Sequence, residues 1–474
     1  VKDIAIVWFR RDLRVHDHPA LLAAREGHER VVPLYVLDDK LLHGRYASPA
    51  RARFMLGCLR ELDAALRALG SGLVVRHGAP EEEVVALARE VGARTVLWTS
   101  DVAPYARRRD GRVTEALRAA DVAAEPHGGG YLVDPSKPRT QGGKPYVVFT
   151  PFWRSIAEVE RRPVQRAPAD LPPLPSGLRK GRLPSAADLG IEDDSVPSPV
   201  AEPGEPAARA ALERWLEHGL AGYADAHDAL SDPGTSVLSP YLRWGCLSAR
   251  ECEERAERRG GAGAAAFTRQ LAWRDFYAHQ LLLFPENVRR EFQERYRDGA
   301  LRWADDDDAL AAWKAGRTGY PLVDAGMRQL AATGWMHNRA RLVVGSFLTK
   351  DLHLDWRAGE LHFARLLLDG EPAQNNGNWQ WIASTGADPA PYFRRLFNPM
   401  TQQRKFDPDG RYVREWVPEL ADVPDARLAE PWTMSAEEQE AAGCVIGTDY
   451  PAPIVDHAQE REVAKARYGA AAGG

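Results

Sequence analysis

An α/β domain built on a parallel, Rossmann-like sheet and followed by a larger all-helical domain is the fold class this sequence predicts, on three observations. Short β-rich runs alternate with amphipathic helical runs through the N-terminal stretch. The alternation stops between about Arg161 and Pro206, where Pro, Ala, Ser and charge dominate and PPLP stands at 172–175. From Ala207 onward the pattern is almost wholly helical, punctuated by SDPG at 231–234 and GYP at 319–321. Alternation of this kind needs crossover connections and hence parallel strands. A Pro-rich stretch without periodicity makes an extended connector. The expected division is 1–130 for the α/β domain, 131–206 for the connector and 207–474 for the helical domain.

The first strand is expected over Ile4 to Phe9, and a helix from Pro19, with proline in its first turn behind the capping candidates Asp17 and His18. Val31 to Leu37 is the next strand. Arg51 to Leu69 follows as a helix, with Phe54, Leu59, Leu62 and Leu66 on one face. The alternation continues as a strand at Leu73 to Val75, a helix at Pro80 to Val91, a strand at Thr95 to Trp98 and a helix at Arg108 to Ala120. The first βα turn carries no GxGxxG, so a dinucleotide-binding site of that type is not predicted. The tail GAAAGG at 469–474 is expected to fray.

With 474 residues the chain has room for two or three domains at roughly 150 residues each. Lys plus Arg number 62 against 67 Asp plus Glu, and 44% of residues are hydrophobic. Such a balance excludes wholesale disorder and a coat protein that binds nucleic acid by bulk charge, while leaving room for a local basic groove. The four cysteines, Cys58, Cys246, Cys252 and Cys444, form no CxxC and have no partner at zinc spacing, so no metal and no disulfide framework is expected. Arg10 and Arg11 interrupt the first apolar run, and no run approaches the length of about 18 apolar residues that a membrane span needs. These features predict a reduced, cytoplasmic protein that does not enter a membrane.

Four segments carry chemistry. Of the 14 tryptophans, Trp273, Trp303, Trp313, Trp335, Trp356, Trp379 and Trp381 crowd one region. They suit first a bulky core or stacking platform, and beyond that indoles that stack on a cofactor or on extruded bases or relay electrons. The segment LLLDGEPAQNNGNWQW at 366–381 passes from an apolar helix into acids and amides that must find partners if buried. Asn375 or Asn376 suits the mixed donor and acceptor edge of a heterocycle, and Asp369 calls for a guanidinium, for which RAR at 339–341 is a candidate source. TSVLSP at 235–240 precedes a helix and reads as simple capping or as an anion site. Arg394, Arg395, Arg404 and Lys405, beside Tyr392, Phe393 and Phe397, form either a solvated face or a track for a nucleic-acid backbone.

Together these segments resemble the photolyase and cryptochrome family, specifically the class I cyclobutane pyrimidine dimer photolyases. The resemblance covers nearly the whole chain: WFRRDLRVHDHPA at 8–20, GKPYVVFTPFW at 143–153, QLAWRDFY at 270–277, GYPLVDAGMRQL at 319–330, GWMHNR at 334–339 and NNGNWQW at 375–381. It implies FAD as cofactor, UV-damaged DNA as partner, a monomer, and dimer splitting by an electron from photoexcited, fully reduced flavin. By the same resemblance Tyr223 and Thr235, Ser236, Val237, Leu238 and Ser239 hold the FAD phosphates and ribityl chain. Arg274 and Asn338 border the cofactor, Arg341 pairs with Asp369, Gly370 and Glu371 lie near the flavin, and Asn375 faces its N5. Trp379, Trp356 and Trp303 match the family's electron-transfer chain.

Base flipping is a known property of photolyases, and the resemblance alone carries it to this chain. Trp273 and Trp381 match the apolar side of the lesion pocket, with Tyr277 nearby. Gln270, Asn338 and Gln402 would add polar contacts, and Arg339 with Arg394 or Arg395 would hold phosphates. His227 stands where relatives often carry a DNA-contacting Arg. Three positions depart from the pattern: Gln270 replaces a Glu, Leu342 a Met at the lesion pocket, and Glu371 an Asp. Gln270 removes a charge and a proton source, which keeps a photoreceptor or a (6-4) photoproduct enzyme in play. WMHNR is the dimer-photolyase form of its helix and speaks against the latter, and the sequence ends soon after Val455 without the long extension common in receptors.

DVAPYARRRD at 101–110 looks like relatives that bind an 8-hydroxy-deazaflavin antenna, rather than methenyltetrahydrofolate. Asp38, Arg51, Asp101 and Arg243 are its candidate contacts, Arg243 standing where a Lys is usual. If Trp303 is the outer member of the electron chain, Trp303→Phe leaves folding intact but slows photoreduction of bound flavin. Photoreduction at the wild-type rate, followed by absorption under blue light, excludes that role.

Overall fold

A computed structural model describes residues 3–191, 200–231 and 234–473. Asp232 and Pro233 of the SDPG punctuation, and part of the connector, lie outside the described residues. The chain forms two units, one of Val1–Ala224, Ser236–Pro285 and Leu368–Ala373, the other of Asp225–Thr235, Glu286–Leu367 and Gln374–Gly474. These boundaries fall elsewhere than at 130 and 206, because the helices from Glu205–His218 to Gly261–Leu283 pack in the unit that holds the sheet.

The first unit is built on five parallel strands, β1 (Ile4–Phe9), β2 (Arg30–Leu37), β3 (Val74–His77), β4 (Thr95–Thr99) and β5 (Ala123–His127), in the order β3-β2-β1-β4-β5. Register is set by pairs such as Ile6 with Val32 and Ile6 with Val96. Every residue of β1 and β4 is buried, as expected of parallel strands covered on both faces. Trp8 and Trp98 meet edge to face in the core, their ring centroids 6.0 Å apart. Helices Pro19–Gly27, Pro49–Ala68, Pro80–Val91 and Pro104–Arg118 make the crossovers. His18 caps the first, its Nδ1 accepting from Leu21 N at 3.1 Å. Strand β5 was not expected: its AAEPH sequence is largely exposed and carries a proline, which only an edge strand tolerates.

Strand order reverses at β1, whose neighbours β2 and β4 lie on opposite sides. In open α/β sheets such a reversal leaves a crevice at the carboxyl ends of the strands. Arg10 and Arg11 follow β1, Asp38 follows β2 and Asp101 lies just past β4, so the sheet delivers charged side chains to that end. The helix Ser239–Trp244 ends there at Gly245, at φ 67°, where an added Cβ would come within 2.1 Å of the Arg11 carbonyl oxygen. Only glycine permits that approach.

The second unit is helical apart from short 3₁₀ turns and isolated bridges, Ala304 with Leu354 and Ile446 with Tyr450. Its core holds Trp313, Phe347, Trp356, Phe363 and Trp379. The Pro321–Thr333 helix starts at a proline and stops at Gly334, in the left-handed region at φ 67°. Its buried Asp324 accepts from Thr318 N and Oγ1, both at 2.7 Å, from Gly319 N at 3.1 Å and from Tyr450 OH at 2.6 Å. Gln329 Oε1 receives Tyr412 OH at 2.8 Å and His337 N at 3.2 Å, which sets the start of the Asn338–Ser346 helix. His337 Nδ1 then caps that helix from Arg339 N at 3.1 Å.

The C-terminal tail does not fray as expected: a helix runs from His457 to Gly473. Buried Tyr468 anchors it, donating from its hydroxyl to Ala383 O at 2.7 Å, and alanine is a strong helix former. No helix among the described residues is long and apolar enough to cross a membrane.

Asp324→Ala strands several buried donors and should cost about 3 kcal/mol or more, read as a lower urea midpoint. Burial holds the His337 imidazole down at about 4, from 6.5. A depressed histidine favours folding fully above its unfolded pKa, and that stability is lost as pH falls toward the folded one. Wild-type protein should therefore lose stability between pH 6.5 and 4, and His337→Asn, which keeps a capping side chain, should flatten that part of the unfolding profile.

Candidate cofactor and nucleic-acid site

In the first unit three of the four antenna candidates, Arg51, Asp101 and Arg243, and three of the FAD candidates converge on one buried charge network. Arg11 donates to Asp101 Oδ1 at 2.8 Å and to Glu371 Oε1 at 3.0 Å. Arg243 Nε donates to Gly370 O at 2.8 Å. Arg51 feels the charge of Asp369. Glu371 also accepts from Ala373 N at 3.0 Å, closing the turn into the Pro372–Ile382 helix. At Asp101, Arg51 and Arg243 burial is the largest influence. It is outweighed at Asp101, which Arg11 holds at about 2, but pulls Arg51 down to about 10 and Arg243 to about 9, the latter with help from Arg11 and Arg51. Asp38 sits slightly apart, capping the helical turn Asp39–Leu42 through Lys40 N at 3.0 Å and receiving the Tyr105 hydroxyl.

The TSVLSP segment leads into the Ser239–Trp244 helix with Val237 at φ 50°. A β-branched residue in that region is strained, and such strain gathers at functional positions. Ser236 Oγ accepts from Leu238 N at 3.4 Å. Tyr223 is buried edge to face against Trp215, centroids 5.2 Å apart. Arg274 is tied down by Gly130 O at 2.5 Å and by the Tyr131 ring, 4.6 Å away.

The Gly261–Leu283 helix also brings Gln270 to the surface, half-buries Trp273 and buries Tyr277. Trp273 stacks face to face on Phe149, centroids 3.7 Å apart and planes at 7°. Phe149 lies inside the GKPYVVFTPFW motif, where its three-residue spacing to Phe152 signals a buried helix face and not that it meets an indole.

In the second unit the tryptophans grade from core to surface: Trp379 and Trp356 are 3% and 0% exposed, whereas Trp303 is half-buried. Trp379 meets Phe363 and Trp313 edge on, at centroid separations of 5.0 and 6.1 Å. A Cβ at Gly359 would stand 2.2 Å from the Trp379 ring, so the Trp356–Leu366 helix can rest there only on glycine. Trp356 donates to Glu291 at 3.4 Å and lies under Arg357, which pairs with the same carboxylate at 3.0 Å. Trp303 packs on Tyr296, Leu301 and Tyr468. Half-buried Asn375 donates from Nδ2 to Glu360 O at 2.9 Å, which leaves its carbonyl end to a ligand.

Asn338 is exposed at the first position of its helix, while Leu342 and Gln402 are half-buried. Arg339 forms a two-point ion pair with Asp228, Nη2 to Oδ2 at 2.5 Å, and lies over Phe406. His227 Nε2 is 3.9 Å from the same Asp228. Arg341 donates to Met336 O at 2.8 Å.

One expectation needs correction. Arg395, offered with Arg394 for phosphates, is 2% exposed. It is committed to Asp388 at 2.6 Å and Trp381 O at 3.0 Å, with its guanidinium 4.3 Å from the Trp381 ring centroid. Trp381 Nε1 donates to the same Asp388 at 3.1 Å, so Arg395 positions an indole, and only Arg394 is exposed. Arg404 likewise pairs with Glu430.

Comparison with known proteins agrees with this arrangement. Residues 5–173 match the family model described as DNA photolyase, and residues 267–470 the FAD binding domain of DNA photolyase. A deoxyribodipyrimidine photo-lyase of Streptomyces griseus is 43% identical, over 97% of this chain and 97% of that protein. The crystal structure of a bacterial class III photolyase from Agrobacterium tumefaciens superposes with a TM-score of 0.92 at 35% identity, covering 100% of this chain and 98% of that one. An archaeal photolyase from Sulfolobus tokodaii, solved with two FAD molecules and described as implying a novel light-harvesting cofactor, gives 0.85 at 31% identity, with 98% and 99% covered. Full-length identity at this level, carried by both family models, establishes that the chain belongs to the DNA photolyase family.

Proposed function

We propose that this chain is a light-driven lyase that splits cyclobutane pyrimidine dimers in DNA. The observation that carries the reading is its full-length relation to a deoxyribodipyrimidine photo-lyase, with the FAD-binding model covering the segment that holds Asn375 and Trp379. Held in this segment, fully reduced FAD excited by light would supply reversible electron donation to the dimer.

The residues present fit such a group. With one of its two Nδ2 hydrogens on Glu360 O, Asn375 offers Oδ1, an acceptor suited to the N–H of a reduced ring and unable to release a proton. The strained Val237 turn and the hydroxyls of Thr235, Ser236 and Ser239 suit a phosphate-bearing chain. Trp379, Trp356 and Trp303 form a series from buried to half-exposed, which suits passage of an electron inward from solvent to reload the cofactor. Trp381, backed by Arg395 and Asp388, offers a fixed aromatic surface to an extruded base pair, as does Trp273 backed by Phe149. Exposed Gln270 and Asn338 can meet carbonyl and imide edges.

In the first unit, the crevice at the carboxyl ends of β1 and β4, with Arg11, Arg51, Asp101 and Arg243, suits a planar, polar antenna. An 8-hydroxy-deazaflavin is favoured there over a folate. Arg51 and Arg243, each held below its usual value, would gain from an anionic ring. The monomeric, cytoplasmic state expected from the sequence belongs to the same reading.

The deciding experiment uses photoreduced protein and two oligonucleotides, one with a single cyclobutane thymine dimer and one with a (6-4) lesion. Light-dependent repair of the first alone is expected, with an absorption band beyond that of flavin if an antenna is bound. Failure on both despite reducible FAD would transfer the reading to a photoreceptor, and restoration by Gln270→Glu would locate the loss at that amide.

A further inference from the structure

The Gly261–Leu283 helix places Arg269, Gln270, Trp273 and Tyr277 along one face, at spacings of one, four and eight residues from the first. Arg269 and Gln270 are exposed and Trp273 is half-buried. Phe149, opening the Phe149–Ala157 helix, is buried and covers one face of the Trp273 indole at 3.7 Å. The Arg269 guanidinium carbon lies 5.4 Å from the centroid of the same Phe149 ring. Phe276 meets the indole edge on at 5.6 Å and Tyr277 is tilted against it at 5.7 Å. The indole plane is therefore fixed by three rings, and the guanidinium is held beside them.

Arg269, like Arg394 and Lys405, pairs with no carboxylate among the described residues, and in this it differs from the remaining candidate cations. Arg339, Arg395 and Arg404 are neutralised by Asp228, Asp388 and Glu430. Among the described residues no carboxylate pairs with Arg269, and its guanidinium lies over the Phe149 ring. A guanidinium stacked on an aromatic ring keeps its N–H groups in plane and pointing outward, ready for an anion's oxygens. Lys144 and Arg154, on either side of Phe149 in sequence, are exposed as well, which adds positive charge to these segments.

We infer that Arg269, Phe149 and Trp273 form one DNA-binding element, in which Arg269 takes a backbone phosphate and Phe149 is the positioning residue that fixes Trp273 for the lesion. The inference rests on the proposed function and adds two residues to it. The two roles are separable by salt. A phosphate contact contributes equally to damaged and undamaged DNA and adds about one to the slope of log Kd against log salt. An indole that reads the lesion contributes to discrimination and leaves the slope unchanged.

The test measures binding of the FAD-loaded, full-length protein to a duplex with one cyclobutane thymine dimer and to the same duplex undamaged, across a potassium chloride series. Arg269→Gln should weaken both about three- to tenfold and lower the salt slope by about one. Phe149→Leu should weaken only the damaged duplex and leave the slope as it was, while Phe149→Tyr, which keeps the stack, should retain wild-type discrimination. An unchanged slope in Arg269→Gln overturns the phosphate role, with no dependence on how the Phe149 variants fold. Equal loss on both duplexes in Phe149→Leu, at wild-type FAD content and unfolding midpoint, overturns the positioning role. Wild-type protein that binds the two duplexes equally overturns the function on which the inference stands, and a wild type that discriminates while Arg269→Gln is silent overturns the inference alone.

Discussion

Residues 368–373 belong to the unit of the sheet although the chain on either side of them belongs to the other, and buried charge holds them there. Two of the six are carboxylates, Asp369 and Glu371, both largely removed from water. A buried carboxylate costs several kcal/mol unless it is paired and hydrogen-bonded. Arg11 meets this demand at Glu371, the charge of Arg51 attracts Asp369, and Arg243 adds a bond to the carbonyl between them. With Asp101 the cluster holds three guanidiniums and three carboxylates, a balance in which removal of any one member strands its neighbours. The Pro372–Ile382 helix, which carries Asn375, Trp379 and Trp381, begins directly on Glu371 through the Ala373 N–H.

The parts of the fold that the sequence made legible are those where a local period and a terminal signal agree. Pro80–Val91 is bounded by a proline at one end and Gly92 at the other, and its helix was expected at those residues. Strand β1 is six apolar residues ending at an arginine pair. Strand β5 was illegible because its AAEPH sequence has no apolar face to repeat; pairing with β4 makes it a strand. The C-terminal helix was illegible for a related reason: Tyr468 holds it through a carbonyl far away in sequence.

Within the site, identity was legible and commitment was not. Nothing adjacent to Arg394 and Arg395 says which guanidinium is free; that follows from Asp388 reaching both Arg395 and the Trp381 indole. Asp101, Arg51 and Arg243 were grouped by likeness to antenna-binding relatives, and the sheet explains the grouping, since strand order reverses where Arg11 and Asp101 emerge. That these residues also hold the 369–371 segment was invisible, because the link runs through a carbonyl, one long-range ion pair and the attraction of Asp369 for Arg51.

The absence of a side chain at Gly359 reaches further than packing. The Trp356–Leu366 helix comes so near the Trp379 ring that no other residue fits, and Phe363 and Trp313 close on the ring edge on. Close-packed interiors hold such rings in a single rotamer. Tunnelling rates fall exponentially with separation, so a donor free to swing would yield a spread of rates across a population of molecules. If Trp379 carries the electron as proposed, an indole walled in on these sides presents the same distance in every copy, and homogeneous kinetics would be a property of a glycine three residues along the helix from Trp356.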